Sequence, residues 1–179
     1  MRLFRRLTTF CFVVLLDALP AFGGDQLIGL TIRDLAQGGQ ANALLNDLRS
    51  LAGVEDVEVD WPKRALQIKF GPNDELDVFQ IARAIADQGL TLTQFTLEAD
   101  GYVGQELDTT YFFLQSGQPF LVERNGVANT ILSHTENAVR VKARVGGWRQ
   151  TKQRSSSSDQ ALDPYLTLLS YKLPKTATR

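Results

Sequence analysis

The chain has 179 residues, 44% of them hydrophobic and 22% charged, with a formal net charge of −1. That balance belongs to a folded protein rather than a disordered one, and the length suffices for one ordinary domain or two small ones. A charge so near zero supplies no global field to draw in a polyanion or a membrane surface.

The first predicted element is a targeting segment. Arg2, Arg5 and Arg6 make a basic start, Leu7 to Leu16 is apolar apart from Thr8 and Thr9, and Asp17 and Pro20 end the run. Ala21 and Gly23 are small residues two apart, the spacing a signal peptidase reads. This pattern predicts an export signal over residues 1–23, with cleavage before Gly24. The apolar run is shorter than the ~20 residues that span a bilayer, so no stable membrane span is expected after cleavage. The expected location is the periplasm of a Gram-negative cell, or secretion otherwise. Cleavage removes Met1, Cys11, three arginines and Asp17, so the formal charge of −1 becomes −3. The mature chain then has no thiol and cannot form a disulfide, and its stability in an oxidising compartment must come from its core.

From Leu27 to about Glu98 strands and helices alternate. Ile28, Leu30 and Ile32 share one side of a first strand. Ala41, Leu44, Leu45, Leu48 and Leu51 recur at intervals of three and four, the stripe of an amphipathic helix that Gly53 ends. Val57, Val59 and Trp61 alternate with Glu58 and Asp60, Pro62-Lys63-Arg64 turns the chain, and Leu66, Ile68 and Phe70 alternate with Gln67 and Lys69. These read as a hairpin of two half-buried strands. Gly71-Pro72-Asn73-Asp74 breaks the chain and offers an N-cap. Val78, Ile81, Ala82 and Ile85 form a second helical stripe closed by Gly89, and Leu90 to Leu97 is the last strand of the segment. The order is β-α-β-β-α-β. Two such helices must bury their stripes on one face of a four-stranded antiparallel sheet, so the expected fold class is α+β, with a ferredoxin-like plait over residues 24–100.

From Gly101 onward no helical period is visible. Tyr111 to Leu114 and Phe120 to Val122 are short apolar strands around a Ser116-Gly117-Gln118-Pro119 turn. Val139, Val141, Ala143 and Val145 alternate with Arg140, Lys142 and Arg144. After Gly146-Gly147-Trp148 comes a polar stretch ending in Ser155 to Ser158, read as a hairpin loop, and Tyr165 to Lys172 is a closing strand. Several short strands separated by turns predict a small antiparallel β-barrel over residues 101–179 that resembles an OB-fold. The alternative is a small antiparallel sheet packed on the first domain.

The stretch Leu48-Arg49-Ser50-Leu51-Ala52-Gly53-Val54-Glu55-Asp56-Val57-Glu58-Val59-Asp60, with Ala84-Ile85-Ala86-Asp87-Gln88-Gly89, is similar to the heavy-metal-associated (HMA) domain of copper chaperones and metal-pumping ATPases. The resemblance covers roughly residues 27 to 98. It implies a Cys-x-x-Cys loop before the first helix, and those cysteine positions fall on Gln37 and Gln40. The loop reads Gln37-Gly38-Gly39-Gln40. Its glycines are present and its sulfurs are not. Soft ions such as Cu(I) are held by charged, polarizable thiolates, and a glutamine amide is a neutral, hard and poor ligand. This is a degenerate metal loop, and no bound metal or cofactor is expected. Domains of this family dock on partners through this end, which makes Gln37, Gly38, Gly39 and Gln40 a candidate surface for a protein partner by analogy.

Other chemistry is sparse. His134 stands alone, whereas metal sites commonly draw on several nitrogen or sulfur ligands. A serine nucleophile would have to take its base from His134. Neither a Gly-x-Ser-x-Gly elbow nor a phosphate loop occurs. Asp100 with Asp108 is the one carboxylate pair to consider for glycosidase-type work, against a plain turn role for Asp100 beside Gly101. The positive feature is basic: Arg140, Lys142, Arg144, Arg149, Lys152 and Arg154 follow one another with no acid among them. Arg140, Lys142 and Arg144 project from one strand face, and Trp148 and Tyr165 add aromatic surface. On an OB-like barrel this predicts a face for an anionic ligand. Nucleic acid is an uncommon partner for an exported protein, and a solvated strand face that guards an edge is the plain alternative. The expected function is therefore a non-enzymatic extracytoplasmic binding or interaction protein. The alternatives are an accessory factor in metal handling that docks on a metalloprotein, and an enzyme with a carboxylate-based site in the β-domain.

Overall fold

The structure, a computed structural model, describes residues 24–133, 139–148 and 164–173. The expected signal at 1–23 lies outside the described residues, as do His134, Arg149, Lys152, Arg154 and the run Ser155 to Ser158. The elements in chain order are β1 (Gln26–Arg33), α1 (Gly39–Arg49), β2 (Val54–Asp60), β3 (Ala65–Phe70), α2 (Val78–Asp87), β4 (Thr91–Glu106), β5 (Thr109–Leu114), β6 (Pro119–Val122), α3 (Gly126–Leu132), β7 (Val139–Gly146) and β8 (Tyr165–Lys172). The fold is mixed α+β. No described helix is long and apolar enough to cross a membrane.

In the first half the strands lie in the order β2-β3-β1-β4, every neighbour antiparallel. The alternation read from the sequence is the alternation of burial: Ile28, Leu30 and Ile32 are buried, and Gly29 and Thr31 between them are half-exposed. The apolar sides of these strands meet Leu44, Leu45 and Leu48 of α1 and Val78, Ile81 and Ile85 of α2 in one core. The other face of the sheet carries no helix among the described residues.

Helix α2 begins later than Asp74. Gln118 reaches across from the β5–β6 turn and clamps the backbone of Leu76, donating Nε2–H to its carbonyl at 2.9 Å and accepting its N–H on Oε1 at 2.8 Å. The chain stays extended there, and Asp77 becomes the N-cap, accepting the Gln80 N–H at 2.8 Å. Gln118→Ala leaves two backbone groups of Leu76 short of partners. It is expected to cost about 1–2 kcal/mol, seen as a lower urea midpoint; an unchanged midpoint would refute the clamp.

Strand β4 runs 16 residues, to Glu106, well past the expected end at Leu97, and the expected domain boundary at 100/101 falls inside it. Its first part pairs with β1 and its last part with β5, while β7 pairs with its middle from Thr96 to Gly101. The second half therefore closes: β4-β5-β6-β8-β7 and back to β4, a five-stranded barrel. It is not wholly antiparallel, because β6 and β8 run parallel. The residues between them include a helix, α3, that the sequence reading missed. Its seven residues are too few to display a period, and it is set by Asn125, which accepts the Ala128 N–H at 2.9 Å and donates to the Leu168 carbonyl at 2.8 Å. Ala128 and Ile131 of α3 join Phe112, Phe120, Val141 and Leu166 in the barrel interior.

Candidate functional site

The basic strand face expected at Arg140, Lys142 and Arg144 divides into three different environments. All three side chains point away from the interior, since Val139, Val141, Ala143 and Val145 of β7 point into it. Arg140 is not available to a ligand. Its Nε donates to Glu98 at 2.9 Å and its Nη1 to Asp100 at 3.2 Å, both across the β4–β7 ladder. Asp100 is accordingly neither in a turn nor paired with Asp108. It is buried inside β4, and Asp108 lies in the turn beyond the far end of that strand, roughly 20 Å on at strand rise. The carboxylate-pair geometry is absent. Lys142 is exposed opposite Glu98, on the helix-free face of the sheet.

Arg144 is exposed further along β7, between Thr96 and Thr167 of the neighbouring strands. It lines a groove of about 480 Å³ with Gly146, Trp148, Tyr165, Thr93 and Gln94. Gly146 faces Tyr165 across the β7–β8 ladder, and a Cβ there would lie 2.2 Å from the Tyr165 ring. The missing side chain lets the ring lie across the strand. Gly147, at φ 74°, turns the chain in a conformation that suits glycine. The indole that follows packs half-buried against the core. Trp148 also borders a second groove, of about 750 Å³, whose lining includes Arg33, Arg83 and Asp87. Arg33 ends β1 and Arg83 lies on α2, so only the folded topology brings them beside the aromatic that follows β7. No spacing in the sequence announces them.

The loop Gln37-Gly38-Gly39-Gln40 is exposed throughout. Gly38 caps α1 without a side-chain acceptor. Gln40 is partly spoken for, because its amide donates to the Gln88 carbonyl at the end of α2, and Gln88 in turn donates to Asp47 at 2.7 Å. Gln40 thus ties α1 to α2, and Gln37 is the one of the two glutamines with no bond of its own among the described residues. The loop sits at the end of the sheet where β1 finishes and β4 starts, since Arg33 pairs with Thr91. Trp148 borders a groove with both of those residues.

No protein-family model matches the chain, and no curated protein matches it.

Proposed function

We propose that the chain is a non-enzymatic binding protein that works outside the cytoplasm. In this reading it holds an anionic, ring-bearing ligand in the groove of Arg144, Trp148 and Tyr165. The observation that carries it is the meeting of an exposed guanidinium, unpaired among the described residues, with two aromatic side chains, one laid over Gly146, in a single groove. A guanidinium offers a planar fork to a carboxylate or sulfate, and aromatic faces accept the apolar face of a sugar ring. An acidic oligosaccharide combines both groups, and it suits an exported protein better than nucleic acid does.

The order β2-β3-β1-β4 with two helices on one face supports reading the first half as a ferredoxin-like plait of heavy-metal-associated type with its metal loop emptied. The barrel order β4-β5-β6-β8-β7, with α3 between its third and fourth strands in sequence, supports the OB-like reading of the second half. The plait serves as scaffold, and Gln37, Gly38 and Gly39 remain its open edge toward a protein partner.

The test is the affinity of the mature protein for a short uronic-acid oligosaccharide. Arg144→Glu is expected to weaken it tenfold or more, since a charge-assisted hydrogen bond contributes about 1.5–3 kcal/mol. Lys142→Glu, on the other sheet region, is expected to have a smaller effect. Equal affinity of Arg144→Glu and the parent would refute the assignment.

A further inference from the structure

The seam between sheet and barrel holds a charge imbalance at the very start of the described chain. Asp100 is 3% exposed. Its one cationic partner among the described residues, Arg140, is shared with Glu98 at 2.9 Å, so two carboxylates face one guanidinium. The third participant is the backbone of residues 24 and 25. The Gly24 N–H donates to the Asp100 carboxylate. The Asp25 carbonyl accepts from Arg140 Nη2 at 3.3 Å. A Cβ on Gly24 would lie 2.2 Å from Arg140 Nη1 and 2.3 Å from Asp100 Oδ2, so a side chain there would have to displace the ends of both.

Gly24 is also the residue that the sequence makes the first of the mature chain. We propose that the mature protein begins at Gly24 and that its freed α-ammonium binds Asp100 as the second cation of this site. Hydrolysis of the Gly23–Gly24 bond by an export peptidase adds hydroxyl to the Gly23 carbonyl and hydrogen to the Gly24 nitrogen, which then takes a proton from solvent. An amide dipole beside a buried carboxylate is thereby replaced by a full positive charge, and two anions come to face two cations. Among the described residues the nearby charges do not supply that cation otherwise. Lys69 is engaged by Asp25 and Glu55 at 3.0 Å each. Lys142 lies opposite Glu98, and Lys172 lies opposite Arg140, both exposed at the strand surface. In the precursor the described residues leave the site short of one positive charge, so on this proposal removal of the leader and tightening of the seam between the two halves become one event.

The experiment is to express the full chain with its leader in an exporting host, read the N-terminus of the recovered protein by intact mass, and titrate its α-amine by NMR. The expected protein starts at Gly24. Its α-amine holds its proton about tenfold more tightly than an ordinary α-amine, whose pKa is about 7.7–8.0. Asp100→Asn is expected to return it to the ordinary range. Gly24→Ala, whose Cβ would crowd both Arg140 Nη1 and Asp100 Oδ2 and so displace the terminus, provides the same comparison with the carboxylate retained in the sequence. A different mature N-terminus would overturn the proposal, and so would an α-amine that titrates alike in the parent and in both variants.

Discussion

Arg140→Glu is expected to cost about 3–5 kcal/mol of folding stability, because removing one partner of a buried pair strands the other. The side chain looks, in sequence, like the first of three cations offered to a ligand. In the fold it is the counter-ion of Asp100, which is almost wholly buried, and it also holds Glu98. A glutamate here would set three carboxylates against one another across the β4–β7 ladder. The expected result is a large drop in the urea midpoint or failure to accumulate, in contrast to Arg144→Glu, which should fold normally. Equal stability of the two variants would contradict the assignment of Arg140 to the seam.

The same site sets a pH dependence in the full-length chain. Burial pushes the Asp100 carboxyl above its ordinary value of 3.8, against the pull of Arg140 and of the Gly24 N–H. The folded chain therefore holds this proton more tightly than the unfolded chain does. Stability tied to this group is greatest below the ordinary value and declines as pH rises from there through the raised folded value. Asp100→Asn should flatten that part of the stability profile. A profile with the same slope in the variant would assign the dependence to other groups.

Gly101→Ala is expected to be the other severe substitution, costing about 3 kcal/mol, the upper end for forcing atoms into a packed core. A Cβ at this position would lie 2.1 Å from the Phe113 carbonyl oxygen and 2.6 Å from Cζ of the buried Phe112 ring. The first obstacle is backbone and cannot swing away. Gly101 is also where β4 pairs with both β5 and β7 as the barrel closes, so relief would require opening the ladder at Leu114 or Val139. Gly104→Ala, whose nearest ring atom is 3.1 Å away, is the milder control. Unfolding by urea distinguishes the two, and comparable midpoints for both variants would show that the close approach at Gly101 is relieved cheaply.

The parts of the fold that the sequence displayed are those governed by local period. The stripe of Leu44, Leu45 and Leu48 and the alternation of Val139, Val141, Ala143 and Val145 each need only one element and one buried side to be legible. What stayed hidden depends on partners distant in sequence. The extension of β4 through Asp100 and Gly101 was masked by an Asp-Gly pair that ordinarily signals a turn, and it takes Arg140, 40 residues away, and the Gly24 N–H to make a buried aspartate tolerable there. Helix α3 was hidden because one Asn cap and two buried residues, Ala128 and Ile131, are too few to make a pattern. In the groove, Arg144, Trp148 and Tyr165 could be named from sequence because they flank one connection. Arg33 and Arg83 could not, since they come from a strand end and a helix packed elsewhere in the chain. Arg140 was misread because alternation tells which face a side chain takes and not what already stands on that face.

The measurement that tests the ligand-binding reading most directly is an NMR titration of the mature, isotope-labelled protein with a short uronic-acid oligosaccharide, and in parallel with its neutral counterpart. The account predicts saturable shifts of the Trp148 indole N–H and of the Gly146 and Tyr165 amides with the acidic sugar, lost in Arg144→Glu and weak with the neutral one. Absence of shifts at these positions, or equal shifts with both sugars, would contradict it.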